Sequence, residues 1–70
     1  MTNPKNFTAI LDKKKSFYGV TPEQIAGAIN VSTRTLARKK KNPEKFELGE
    51  IITLMKLLRF TEDERKEALL

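Results

Sequence analysis

Apolar residues recur at helical spacing along most of this 70-residue chain. Phe7, Ile10, Leu11, Phe17 and Tyr18 return near every third or fourth position, the period of one helix face. Asn3 as cap and Pro4 at the first helical position open that segment. Gly19 closes it, because glycine takes the positive φ of a helix exit without a Cβ clash. A second start follows at once. Thr21 is an N-cap, Pro22 sits where a missing N–H costs nothing, and Gln24 completes a capping box. Ile25, Ala26 and Ile29 then share one face. Asn30-Val31-Ser32 breaks this helix, since Asn tolerates a left-handed backbone, and Ser32 can cap a third helix from about Thr33 to Lys40. Asn42-Pro43 stops the chain again. Leu48 to Arg59 carries Leu48, Ile51, Ile52, Leu54, Met55, Leu57 and Leu58. Apolar positions on more than one stripe predict a central helix packed against several neighbours. Thr61 and Glu64 form a last capping box, opening a helix over about 62–69 that ends in Ala68, Leu69 and Leu70. No alternating pattern predicts a strand.

The expected architecture is all-α, a compact bundle of about five short helices in a single domain spanning 1–70. Val20 and Ile25 form a candidate hydrophobic staple between the first two helices. Phe46 is the only apolar residue of the 44–47 connection, so it should anchor that loop to the core. A domain this small supports roughly 3–5 kcal/mol of stability.

The segment TPEQIAGAINVSTRTLARKKK, Thr21 to Lys41, resembles the helix-turn-helix of the phage Cro and repressor (Xre-like) family. The matching positions are Ile25 and Ala26 in the first helix, Val31 in the turn and Leu36 in the second. The family usually has Gly where this chain has Asn30. It also usually has an apolar residue near the end of the second helix, where this chain has Lys39 and Lys40. A lysine stem must there cover core while its ammonium reaches water. The resemblance implies a lambda-repressor-like bundle with helices 2 and 3 forming the motif, and a double-stranded DNA operator as partner.

Charge sharpens that expectation. The net charge is +5, unevenly distributed: residues 1–45 hold ten Lys/Arg against three acids, and residues 46–70 hold four against six. A basic excess confined to one part of a domain is the footprint expected of a polyanion-binding surface. It is equally compatible with a solvated surface, and for Lys13, Lys14 and Lys15 the solvated reading is the simpler one. The chain has no cysteine and no histidine. Disulfides, thiolate or imidazole metal sites, and Ser-His or Cys-His catalysis are thereby excluded. The acids Glu62, Asp63, Glu64 and Glu67 read as a helix start. Neither an enzyme, a cofactor, a metal nor a small-molecule ligand is expected. With no apolar run of membrane length and no signal-peptide pattern, the expectation is a soluble cytoplasmic protein.

The candidate site is the helix Thr33–Lys40, whose dimensions suit the DNA major groove. Thr33, Arg34, Ala37, Arg38 and Lys41 lie away from Leu36 and match the family's base-facing positions. Arg34 and Arg38 are four apart, hence on one face, and each carries a planar fork able to grip guanine O6 and N7. Thr33 assists, with a thymine methyl as one target. Phosphate contacts are expected from Thr21, Gln24 and Ser32 at the helix starts and from Lys39, Lys41 and Lys45 beyond the recognition helix. The function implied is a transcriptional regulator that represses by occluding its operator. The rival is a protein-binding modulator or antirepressor that keeps the fold but acts on another regulator. A homodimer through the C-terminal helix, with Leu69 and Leu70 at its free end, would set two recognition helices one DNA turn apart.

Overall fold

The computed structural model describes residues 4–69, so the expected Asn3 cap and Leu70 lie outside the described residues. Five helices follow in order: α1 (Pro4–Tyr18), α2 (Pro22–Ala28), α3 (Thr33–Lys41), α4 (Leu48–Leu57) and α5 (Glu62–Leu69), with a 3-10 turn at Pro43–Lys45 between α3 and α4. The all-helical architecture is the one the spacing predicts.

Three helix ends share one device. After α1, Gly19 N–H donates to the Ser16 carbonyl and Val20 N–H to the Lys15 carbonyl. After α2, Asn30 and Val31 donate to Gly27 and Ala26; after α4, Arg59 and Phe60 donate to Lys56 and Met55. The pivot residues Gly19, Asn30 and Arg59 have φ of 65°, 60° and 53°. These are Schellman exits, in which one left-handed residue satisfies two orphan carbonyls and turns an apolar residue back onto the core. Val20 and Val31 are half-buried there and Phe60 is buried. Gly19 and Asn30 follow the usual chemistry. Arg59 does not, and it ends α4 at Leu57, short of the expected Arg59.

The helix starts are as local. Thr21 Oγ1 accepts from Gln24 N–H at 3.2 Å while Gln24 Oε1 accepts from Thr21 N–H at 2.9 Å. Thr61 and Glu64 repeat the reciprocal pair at 3.1 and 2.8 Å. Ser32 Oγ accepts from Thr35 N–H at 3.1 Å. At α4 the Glu50 carboxylate accepts from Glu47 N–H at 2.9 Å.

Phe7 sits at the centre of the core, fully buried, with Phe46 edge-on at a ring separation of 5.3 Å and Phe60 tilted at 6.0 Å. Leu11 of α1, Ile25 and Ala26 of α2, Leu36 of α3, Ile51, Leu54, Met55 and Leu58 around α4, and Ala68 of α5 close around this cluster. Phe46 anchors its loop as expected. Two expectations fail. Helix α4 buries one face only, leaving Leu48, Ile52 and Leu57 exposed, because the bundle packs against it from a single side. Phe17 and Tyr18 continue the α1 stripe but outrun the core, and Phe17 is 78% exposed.

Candidate nucleic-acid interface

Helix α3 hangs on one buried residue. Leu36 packs into the core with Ile25 and Ala26 of α2, and α2 and α3 lie in direct contact across the Ile29–Ser32 turn. Fixing Leu36 inward dictates the rest of the helix by its 100° turn per residue. Arg34, Ala37, Arg38 and Lys41 turn away from Leu36 while Thr33 stands beside it at the helix start, and all five are exposed. The two guanidinium groups stand one helical turn apart on that face. Neither they nor Lys41 have an ion-pair partner among the described residues.

The remaining cations near the motif are treated differently. Lys39 turns inward: its ammonium lies 2.7 Å from Glu50 and 3.4 Å from the Lys45 carbonyl, and 6.0 Å from the centre of the Phe46 ring. Its stem covers core, as its place in the helix demands, but its charge is met by Glu50. The pair is well covered, with side chains 15% and 13% exposed. Lys39, expected at the phosphate backbone, is therefore committed to the fold. Lys40 pairs with Asp12 of α1, and Lys14 pairs with Glu64 of α5 at 2.8 Å. Partial burial pushes the Glu50 carboxyl up, but hydrogen bonds from Lys39 and the Glu47 N–H, with the Lys39 charge, outweigh it and hold the group below the usual 4.5. Glu64 is lowered chiefly by its hydrogen bond from Lys14, then by the Thr61 N–H.

The other expected phosphate contacts divide in the same way. Thr21 and Ser32 are exposed but their hydroxyls are engaged as caps; Ser32 Oγ also donates to Thr35 Oγ1 at 3.0 Å. Gln24 uses its side-chain oxygen in the capping box, which turns its amide NH₂ to the exterior as a two-proton donor. Lys41 and Lys45 are exposed.

One neighbour escapes a reading of the sequence. An apolar cleft of about 150 Å³ lies between α1, α2 and α3, with Leu11, Ile25 and Leu36 at its base and Lys15, Thr33 and Ala37 among its lining residues. Lys15 thus borders the exposed face of α3. No sequence signal could find this, because it depends on how α1 crosses the α2–α3 pair. At the C-terminus, Ala68 is fully buried and Leu69 is packed against the core, so the expected dimer contact has little bare apolar surface among the described residues.

The chain matches no family model, no curated protein and no solved structure.

Proposed function

We propose that the protein is a sequence-specific DNA-binding regulator of the phage Cro or repressor type, acting by occupying an operator that a polymerase or another regulator also needs. The observation that carries this reading is the asymmetry of charge use around α3. Lys39 and Lys40 are neutralised by Glu50 and Asp12, whereas Arg34, Arg38 and Lys41 stand together, exposed and without a carboxylate among the described residues. A helix face offering two planar forks and two small residues, Thr33 and Ala37, has the donors and the clearance that major-groove readout requires. In this reading Arg34 and Arg38 grip guanines, Thr33 and Ala37 lie against neighbouring base edges, and the Gln24 amide with Lys41 and Lys45 holds phosphates. Lys15, beside the same face, joins the phosphate-contacting set.

Selection from a random-sequence DNA pool tests the proposal. Enrichment of one short motif is the expected result. Recovery of no motif, at low and at moderate salt alike, would reject it and favour the protein-binding modulator that keeps this bundle for another purpose.

A further inference from the structure

The most anomalous surface of the molecule lies on the α1–α5 seam. Phe17 is 78% exposed at the end of α1 and meets Tyr18 edge-on, at a ring separation of 5.0 Å. It lines an open groove of about 470 Å³ with Lys13, Lys14, Ser16 and Glu64. Leaving a phenylalanine in water forgoes roughly 1.5–3 kcal/mol of transfer free energy. The core closes without it, since Phe7, Ile10 and Leu11 are the α1 residues it buries.

The two walls of the seam carry opposite charge. On α1, Ala9, Lys13 and Phe17 follow one another at four-residue spacing and are all exposed. Lys13 has no ion-pair partner among the described residues. On α5, Asp63 and Glu67 are exposed one turn apart, on the flank next to Glu64, the residue that lines the groove. The helices run antiparallel: Asn6 near the start of α1 donates to the Glu67 carbonyl, and Lys14 near its end meets Glu64. A basic wall, an acidic wall and an apolar knob side by side form a surface complementary to itself under a two-fold rotation.

We propose that a second copy of this chain docks on the α1–α5 seam, with Phe17 of each protomer seated in the groove of the other and Lys13 of each facing Asp63 and Glu67 of its partner. A fifteen-residue α1 is about 22 Å long, enough for an interface at the small end of the stable range, about 1,200 Å² in total. The pairing is therefore a concentration-dependent one, weakened by salt because its charge pairs lie at the rim. The groove and α3 share no lining residue, so the proposal stands apart from DNA binding and is tested without DNA.

Sedimentation equilibrium of the full chain and three variants decides it. Phe17→Ser should raise the dimer dissociation constant at least about ten-fold, since both copies lose the knob. Lys13→Glu alone, and Asp63→Lys with Glu67→Lys, should each weaken self-association. Mixing those two variants should restore it, because each copy then meets opposite charge on both sides of the two-fold axis. Thermal melts of each variant confirm that the monomer is intact. A wild-type chain that stays monomeric to millimolar concentration, a dimer indifferent to Phe17→Ser, or a mixture no tighter than its components would overturn the proposal.

Discussion

Glu50 holds two parts of the molecule at once, and its removal should cost more than its position on a half-buried helix face would indicate. Its carboxylate accepts the Glu47 N–H that opens α4, at 2.9 Å, and the Lys39 ammonium from α3, at 2.7 Å. Glu50→Ala deletes a cap, worth about 1 kcal/mol, and a charged hydrogen bond in a mostly covered setting, worth about 1.5–3 kcal/mol. The lysine it abandons can swing partly into water, so we expect a total of about 2–3 kcal/mol. Against roughly 3–5 kcal/mol for a domain this small, that variant is close to unfolding at 37 °C. Lys39→Met should cost less. The thioether stem still covers Phe46 and the Glu47 N–H still reaches Glu50, so the cap survives; the charged hydrogen bond is lost and the carboxylate is left in a mostly covered setting, so a cost of about 1–2 kcal/mol, short of the Glu50→Ala penalty, is expected. Urea denaturation at pH 7 and pH 3 measures both. The folded-state pKa of Glu50 lies below 4.5, so its contribution is complete above 4.5 and disappears as pH falls through the lowered value. The penalty of Glu50→Ala should accordingly shrink at pH 3. An equal penalty at both pH values, or a Lys39→Met without cost, would refute the ion-pair reasoning.

Other outcomes follow from the same geometry. Arg34→Ala or Arg38→Ala should cost about 1–3 kcal/mol in binding a selected DNA site and relax preference at one base pair, whereas Lys41→Ala should weaken all sequences alike and flatten the salt slope by about one unit; competition binding across a salt series reads both, and identical behaviour of the three would show that the helix senses charge alone. Arg59→Gly should stabilise the fold by up to about 1 kcal/mol, because φ of 53° strains any residue with a Cβ; a thermal melt with no gain would mean that the Arg59 side chain contributes something the backbone argument omits. Glu64, lowered by Lys14, adds to Glu50 in acid: stability should be flat above about pH 5 and decline below it, and Lys14→Met should reduce that decline in a pH series of urea melts.

The helix order was legible because it is written locally. Gly19, Thr21 with Gln24, Asn30, Ser32, and Thr61 with Glu64 each announce a boundary through side chains within four residues of it. Arg59 announced nothing, since its left-handed conformation is imposed by Phe60 turning in to meet Phe7. The Glu47–Glu50 start was equally silent, glutamate being an unusual N-cap. Tertiary burial was legible only where one face is unambiguous. Leu36 alone sufficed to place Arg34, Ala37 and Arg38 outward. The excess of apolar residues on α4 and at the end of α1 misled, because a helix can carry more hydrophobic surface than its own bundle covers. The fate of the lysines was illegible for a different reason: Lys39 meets Glu50 eleven residues away, Lys40 meets Asp12 and Lys14 meets Glu64, pairings that exist only once the helices have crossed.

The three Schellman exits have a kinetic side. Each fixes the direction in which the next segment departs using hydrogen bonds that span five residues or fewer, and at Gly19 and Asn30, where the pivot residue itself favours the left-handed backbone, Val20 and Val31 can be aimed inward without help from a distant contact. A chain whose corners are settled by neighbours in sequence spends little time searching for partners. Collapse of this protein from denaturant should finish within microseconds to milliseconds, and slowing should be greatest when a corner such as Asn30 is given a β-branched residue.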